Sequence, residues 1–180
     1  KRDEKVNLVK QLLMEGVGQA PPPEEKTARR MGRVAERMQV ISHDTVLVTG
    51  LGPVGLGGVI NASYRGARVI GLEGNSYRAE LAEQLGADVV LDPADEDVLD
   101  QLRKLTDGAG VDKAVDCSGA PDAQRLMIDA LRRKGQACFV GEGADLTITV
   151  SQDMTNSASA EQFTFQAEIK QLLHLLSHSL

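Results

Sequence analysis

Three glycines at the spacing Gly50-x-Gly52-x-x-Gly55 follow the apolar, β-branched run Thr45-Val46-Leu47-Val48-Thr49 and open a segment of helical period. Each glycine answers a different need. Gly50 makes a tight turn, Gly52 lets the backbone approach a pyrophosphate, and Gly55 lets helix and strand pack closely. The amino terminus of the helix then faces the phosphates with its unpaired N–H groups. A second apolar run, residues 67–72, ends at Glu73. This is about the separation at which an acidic side chain accepts the ribose hydroxyls of a dinucleotide. A carboxylate there repels the 2′-phosphate of NADP, so the pattern predicts NAD. Arg78 stands five residues further on, close enough to act on the same group.

Other residues capable of chemistry are fewer and more scattered. Cys117 and Cys138 fall in or at the end of apolar runs that read as neighbouring strands, with no CxxC spacing and no adjacent histidine. They read as reduced, buried thiols, and neither a structural zinc site nor a redox pair is expected. His174 and His178 share a helix face without an acidic third ligand, and His43 stands apart. No metal site and no catalytic residue is therefore assigned. Ser118, His43 and Glu142 are the polar groups nearest the expected site, and none has a convincing spacing.

The elements that must hold the glycine turn are legible from residue 43 to about 150. Short β-branched runs alternate there with segments of helical period, the pattern of parallel βαβ units. Strands are expected over 45–49, 68–72, 88–91, 113–116 and 137–140. The first helix starts with Pro53, whose fixed φ suits a helix start, and runs to about Tyr64 before Gly66. Gly57 and Gly58 weaken it by roughly 1 kcal/mol each, which implies that another backbone or a ligand comes close. The second helix starts near Asn75 or Ser76, turns Leu81, Ala82 and Leu85 inward and stops at Gly86. The third carries Val98, Leu99, Leu102 and Leu105 on one stripe; the fourth turns Met127, Ile128 and Leu131 inward. Right-handed crossovers then give an α/β, doubly wound parallel sheet of Rossmann type, five strands in the order three-two-one-four-five, incomplete at one edge.

The ends read differently. Residues 1–37 give an amphipathic helix, the break Pro21-Pro22-Pro23, and a charged helix on which Arg29, Arg30, Arg33 and Arg37 form a solvated face. Residues 155–160 are a polar spacer before an amphipathic helix at 163–180. The expected division is therefore 1–37 helical extension, 38–154 dinucleotide-binding domain, and 155–180 spacer and helix. In 180 residues this leaves room for one domain with appendages. A net charge of −6 with pI about 5.1 argues against nucleic acid as a partner. No stretch has the length and apolarity of a membrane span, and the amino terminus has no signal-peptide core. A cytoplasmic protein is expected. The leucine-rich last helix offers a surface for a second copy or a partner chain.

Residues 37–154 resemble the cofactor domain of the zinc-type medium-chain alcohol dehydrogenases, including the threonine and polyol branch. The resemblance is carried by Asp44 through Gly55, by Gly74-Asn75-Ser76-Tyr77-Arg78-Ala79-Glu80-Leu81-Ala82, by Leu85-Gly86-Ala87-Asp88, by Asp116-Cys117-Ser118-Gly119 and by Phe139-Val140-Gly141. It implies that Val54 and the neighbouring backbone hold the pyrophosphate, and that Glu73 and Arg78 hold the adenosine ribose. It also implies Cys117 and Ser118 on the adenine side, with Val140 and Gly141 near the nicotinamide ribose. The family's catalytic zinc ligands have no counterpart upstream, where there is no cysteine and one histidine. Cofactor binding carries over and catalysis does not, which suggests an NAD(H)-binding domain from a truncated or fused reading frame. The alternatives are an oxidoreductase completed by another chain and a non-catalytic NAD-sensing or interaction module. Residues 161–180 are similar, more weakly, to the start of the bacterial ninety-kilodalton heat-shock chaperones.

Overall fold

The computed structural model describes residues 25–141 and Thr147. The helix expected at the amino terminus, the triple proline, the 155–160 spacer, the 163–180 helix and its chaperone-like segment lie outside them. The described chain runs α1 (Glu25–Arg37), β1 (Thr45–Thr49), α2 (Pro53–Tyr64), β2 (Arg68–Leu72), α3 (Ser76–Leu85), β3 (Val89–Leu91), α4 (Val98–Leu105), β4 (Val111–Asp116), α5 (Pro121–Ala130) and β5 (Leu131–Phe139). All pairings are parallel, in the order β3-β2-β1-β4-β5. The α/β doubly wound architecture read from the sequence is the observed one. Among the described residues β5 forms one edge.

Parallel strands covered on both faces must be apolar on both. Val46, Val48, Val69 and Val115 join a core with α1, α2 and α3, while Leu47, Ile70, Leu72 and Ala114 join a second core with α4 and α5. Most of these side chains are excluded from solvent, and each such aliphatic group contributes about 1.5–3 kcal/mol by leaving water.

Helix α1 is part of this packing. Met31, Val34, Ala35 and Met38 are buried, whereas Arg29, Arg30, Arg33 and Arg37 are exposed as expected. At Gly58 the close neighbour, expected to be another backbone or a ligand, is a side chain of α1. A Cβ on Gly58 would sit 3.2 Å from Met31 Cε, and Asn61 Oδ1 lies 3.2 Å from where a Cβ on Gly32 would be. No helix among the described residues is long and apolar enough to cross a membrane.

Two local expectations need correction. The fifth strand starts at Leu131, six residues earlier than expected, and ends at Phe139, so Val140 lies just past it. Leu131 is buried as the pattern required, but as the first residue of β5 rather than as a helix residue. The register explains the misreading: Val111 pairs with Leu131, then Lys113 with Gln136, so the intervening residues bulge out of the ladder. Lys134 takes φ 65 inside that bulge. An interruption of this kind hides the period of a strand. Smaller shifts place Asp88 before β3 and begin β4 at Val111.

Candidate functional site

Strand order reverses between β2-β1 and β4-β5, so the carboxyl ends of β1 and β4 diverge at the point where open α/β sheets form a crevice. The glycine turn lies there. Gly50 has φ 76, and a Cβ on it would come within 2.7 Å of Ser118 Cα. A Cβ on Gly55 would lie 2.0 Å from the Gly50 carbonyl oxygen. Gly52 differs from both. Its φ of −69 suits any residue, and a Cβ there would meet nothing within 4 Å. It caps α2, whose first turn is Pro53 and Val54, and no side chain occupies the cap.

Glu73 leaves β2 directly beside this turn. Its Oε2 accepts from the Leu51 N–H at 2.9 Å, and its Oε1 accepts from the Asn75 N–H at 2.9 Å and from the Arg78 guanidinium at 2.7 Å. The carboxylate is only 7% exposed. Burial raises its pKa, but the Arg78 hydrogen bond and the Asn75 and Leu51 N–H groups outweigh burial, and the result lies below the ordinary value of 4.5. Glu73 therefore stays ionised near neutrality. Oε1 carries two donors and Oε2 one, which leaves acceptor capacity on Oε2. The Nε of Arg78 is buried and has no hydrogen-bond partner. Asn75 caps α3 by accepting from the Arg78 N–H, which ties the Arg78 backbone to the same corner.

Across the crevice, Cys117 and Ser118 follow β4, and Val140 and Gly141 follow β5. The Cys117 N–H donates to the Thr49 carbonyl, and those of Val140 and Gly141 both donate to the Asp116 carbonyl. Ser118 is exposed. Burial, with Asp116 close by, pushes the Cys117 thiol strongly up. Burial likewise pushes Cys138 up to about 11, so neither thiol is a ready nucleophile or metal ligand. His43 stands at the opposite, amino end of β1 and is exposed.

Sequence reasoning treated Asp116 only as a strand end. The structure buries it completely, along with Thr49 and nearly all of Gln124. Oδ1 accepts from Thr49 Oγ1 at 2.8 Å, Ser118 N–H at 2.9 Å and Ser118 Oγ at 2.6 Å, and Oδ2 accepts from Gln124 Nε2 at 2.9 Å. The Gly119 N–H points between the two oxygens. An acid closing the run Lys113-Ala114-Val115 was the available signal. The Leu51 N–H had none, because a backbone donor is the same in every sequence.

The described residues do not fit a metal. They contain no group of three or more His, Cys, Asp or Glu side chains that could hold one, and the donors of the Asp116 carboxylate already fill it.

A sequence profile of the zinc-binding dehydrogenases matches residues 53–178. That span takes in most of the segment likened above to a chaperone start, and the relatives described next give that likeness no support. The chain is 39% identical to the L-threonine 3-dehydrogenase of Pyrococcus horikoshii over 124 residues, 67% of this chain and 36% of that protein. It is 41% identical to the sorbitol dehydrogenase of Halalkalibacterium halodurans over 100 residues, 54% of this chain and 29% of that one. Among solved structures it resembles the alcohol dehydrogenase of Aeropyrum pernix with TM-score 0.65 and 29% identity, covering 84% of this chain and 44% of that one. The chain thus spans about a third of the length of the threonine dehydrogenase it matches. The sheet order, the glycine turn and the sequence match agree: the chain belongs to the zinc-type medium-chain dehydrogenases and carries their Rossmann-type domain.

Proposed function

We propose that residues 38–154 bind NAD(H) as the cofactor domain of an alcohol or polyol dehydrogenase. The observation that carries this reading is Gly52. Neither backbone conformation nor crowding explains a glycine there, since its φ is ordinary and its Cβ direction is open. The space in front of it, at the start of α2, is what a pyrophosphate needs. Gly50, Gly52, Pro53, Val54 and Gly55 form the phosphate turn of this site. Glu73 receives a ribose hydroxyl on Oε2 while Arg78 holds its other oxygen. Cys117 and Ser118 line the adenine side, and Val140 and Gly141 lie near the nicotinamide ribose.

When bound, NAD(H) supplies hydride transfer. The chain's residues bind and orient it, and the ionised Glu73 disfavours a 2′-phosphate. The groups that would polarise an alcohol are not among the described residues, and no catalytic step is assigned to them. Relatives named for threonine and sorbitol support a hydroxyl-bearing substrate. Calorimetric titration with NADH, NADPH and ATP tests the reading. NADH is expected to bind, with Gly52→Val abolishing binding at unchanged thermal stability and Glu73→Ala weakening it. Absence of NADH binding to the unaltered chain would overturn it.

A further inference from the structure

The buried carboxylate of Asp116 has no part in the site as described above, yet four elements meet on this residue. Its side chain accepts from Thr49 at the end of β1, from Ser118 and Gly119 in the turn after β4, and from Gln124 on α5. Its own carbonyl accepts from Val140 and Gly141 after β5. The turns it joins touch backbone to backbone. A Cβ on Gly141 would lie 2.3 Å from Gly119 N and 2.9 Å from Asp116 Oδ2. Packing alone can bring such turns together, but it does not fix their orientation. Polar networks buried at this density specify one arrangement.

A dinucleotide crosses the switch point, so with adenosine on the β2 side its other half lies toward the end of β5, where Val140 and Gly141 stand. We propose that Asp116, whose buried carboxylate gathers the end of β1, the turn after β4 and the side chain of Gln124 and whose main-chain carbonyl holds the end of β5 against that turn, is the positioning residue for the nicotinamide half of the site. This rests on the NAD(H) reading above. Asp116 itself lies beneath the crevice and touches no ligand. The chemistry of the residue matters because five donor groups converge on it: the Thr49 and Ser118 hydroxyls, the Ser118 and Gly119 N–H groups and the Gln124 amide. A carboxylate offers about four acceptor sites on two oxygens. An asparagine of the same shape loses one acceptor oxygen and turns N–H groups toward either Gln124 or Thr49 and Ser118. The volume is conserved, so packing is retained while the turn after β4, against which Gly141 packs, loses its side-chain anchor.

The test is titration of the full chain with NADH and, separately, with ADP, which carries only the adenosine and diphosphate portion. In Asp116→Asn, NADH affinity is expected to fall about tenfold while ADP affinity changes less than about twofold, since the phosphate turn keeps its own hold on the β2 side through the Gly50 N–H to the Leu72 carbonyl and the Leu51 N–H to Glu73. Gln124→Met removes one donor from outside the crevice and is expected to give the same selective pattern at about threefold. Unchanged NADH affinity in Asp116→Asn overturns the proposal, as does a parallel loss of NADH and ADP, which is the mark of general damage to the fold. Should Asp116→Asn fail to fold, Gln124→Met decides by the same criterion. A wild-type chain that binds neither ligand overturns the NAD(H) reading itself, and the role of Asp116 with it.

Discussion

The two flanks of the crevice are anchored by carboxylates in opposite ways. On the β2 side, Glu73 is paired with the Arg78 guanidinium, whose side chain is 40% exposed. On the β4 side, Asp116 is wholly buried, and the donors that reach it are hydroxyls, amides and backbone N–H groups, all of them neutral. The first arrangement keeps the Arg78 end of an ion pair in water and leaves acceptor capacity on a nearly buried carboxylate. The second spends its full acceptor capacity inside the protein, where water does not compete and each missing partner is costly. One flank is built to meet a ligand and the other to hold shape.

The sharpest way to break this comparison lies in the glycine turn that joins the two flanks. Gly55→Ala places a methyl group 2.0 Å from the Gly50 carbonyl oxygen and is expected to cost about 3 kcal/mol of unfolding free energy. Gly52→Ala, three residues away, is expected to stay within about 0.5 kcal/mol of wild type, because its methyl enters open space. Equal effects in denaturant titrations would mean the turn has a single purpose. Next in size is Thr49→Val, which removes a hydroxyl from the buried carboxylate without changing shape and is expected to cost about 2 kcal/mol. Arg78→Met on the other flank should cost about 1 kcal/mol, because the Arg78 end of the pair is 40% exposed and Glu73 keeps the Leu51 and Asn75 N–H donors. A reversed ranking in urea unfolding would remove the distinction between the flanks.

A smaller effect is expected in the pH profile. Glu73 is held below its ordinary value of 4.5, so its bonds stabilise the fold above that value and are lost as pH falls through the lowered one. The difference in stability between wild type and Glu73→Gln should therefore shrink on acidification below about 4.5 and be flat from pH 6 to 8. A difference that grows on acidification would contradict the assignment. Smallest is the thiol response: with Cys138 pushed up to about 11 and Cys117 also raised, neither should react with iodoacetamide at pH 8 until the chain unfolds. Prompt alkylation of the folded protein would show that the β4–β5 end opens.

The sequence announced the elements whose signals are local. Short continuous apolar runs marked β1 and β2, Pro53 and Asn75 marked helix starts, and Gly86, in the left-handed region at φ 116, marked the end of α3. Its failures were equally physical. The bulge between Val111 and Lys113 broke the period of β5, so the strand looked four residues long and Leu131 looked helical. Met31 on Gly58 was a contact between helices, which no local pattern encodes.

The same division runs through the site. Residue types and spacing by themselves determined the strand order, the glycine turn and an acid at the end of β2, because strand period, turn chemistry and the right-handed crossover rule act over short stretches of chain. Only the tertiary structure decided that Glu73 is held by a backbone N–H of the glycine turn, that Gly52 faces open space while Gly55 faces a carbonyl, and that Asp116 ties three strand ends and a helix together. These depend on which groups meet across segments up to 67 residues apart, and burial then sets the worth of each polar contact.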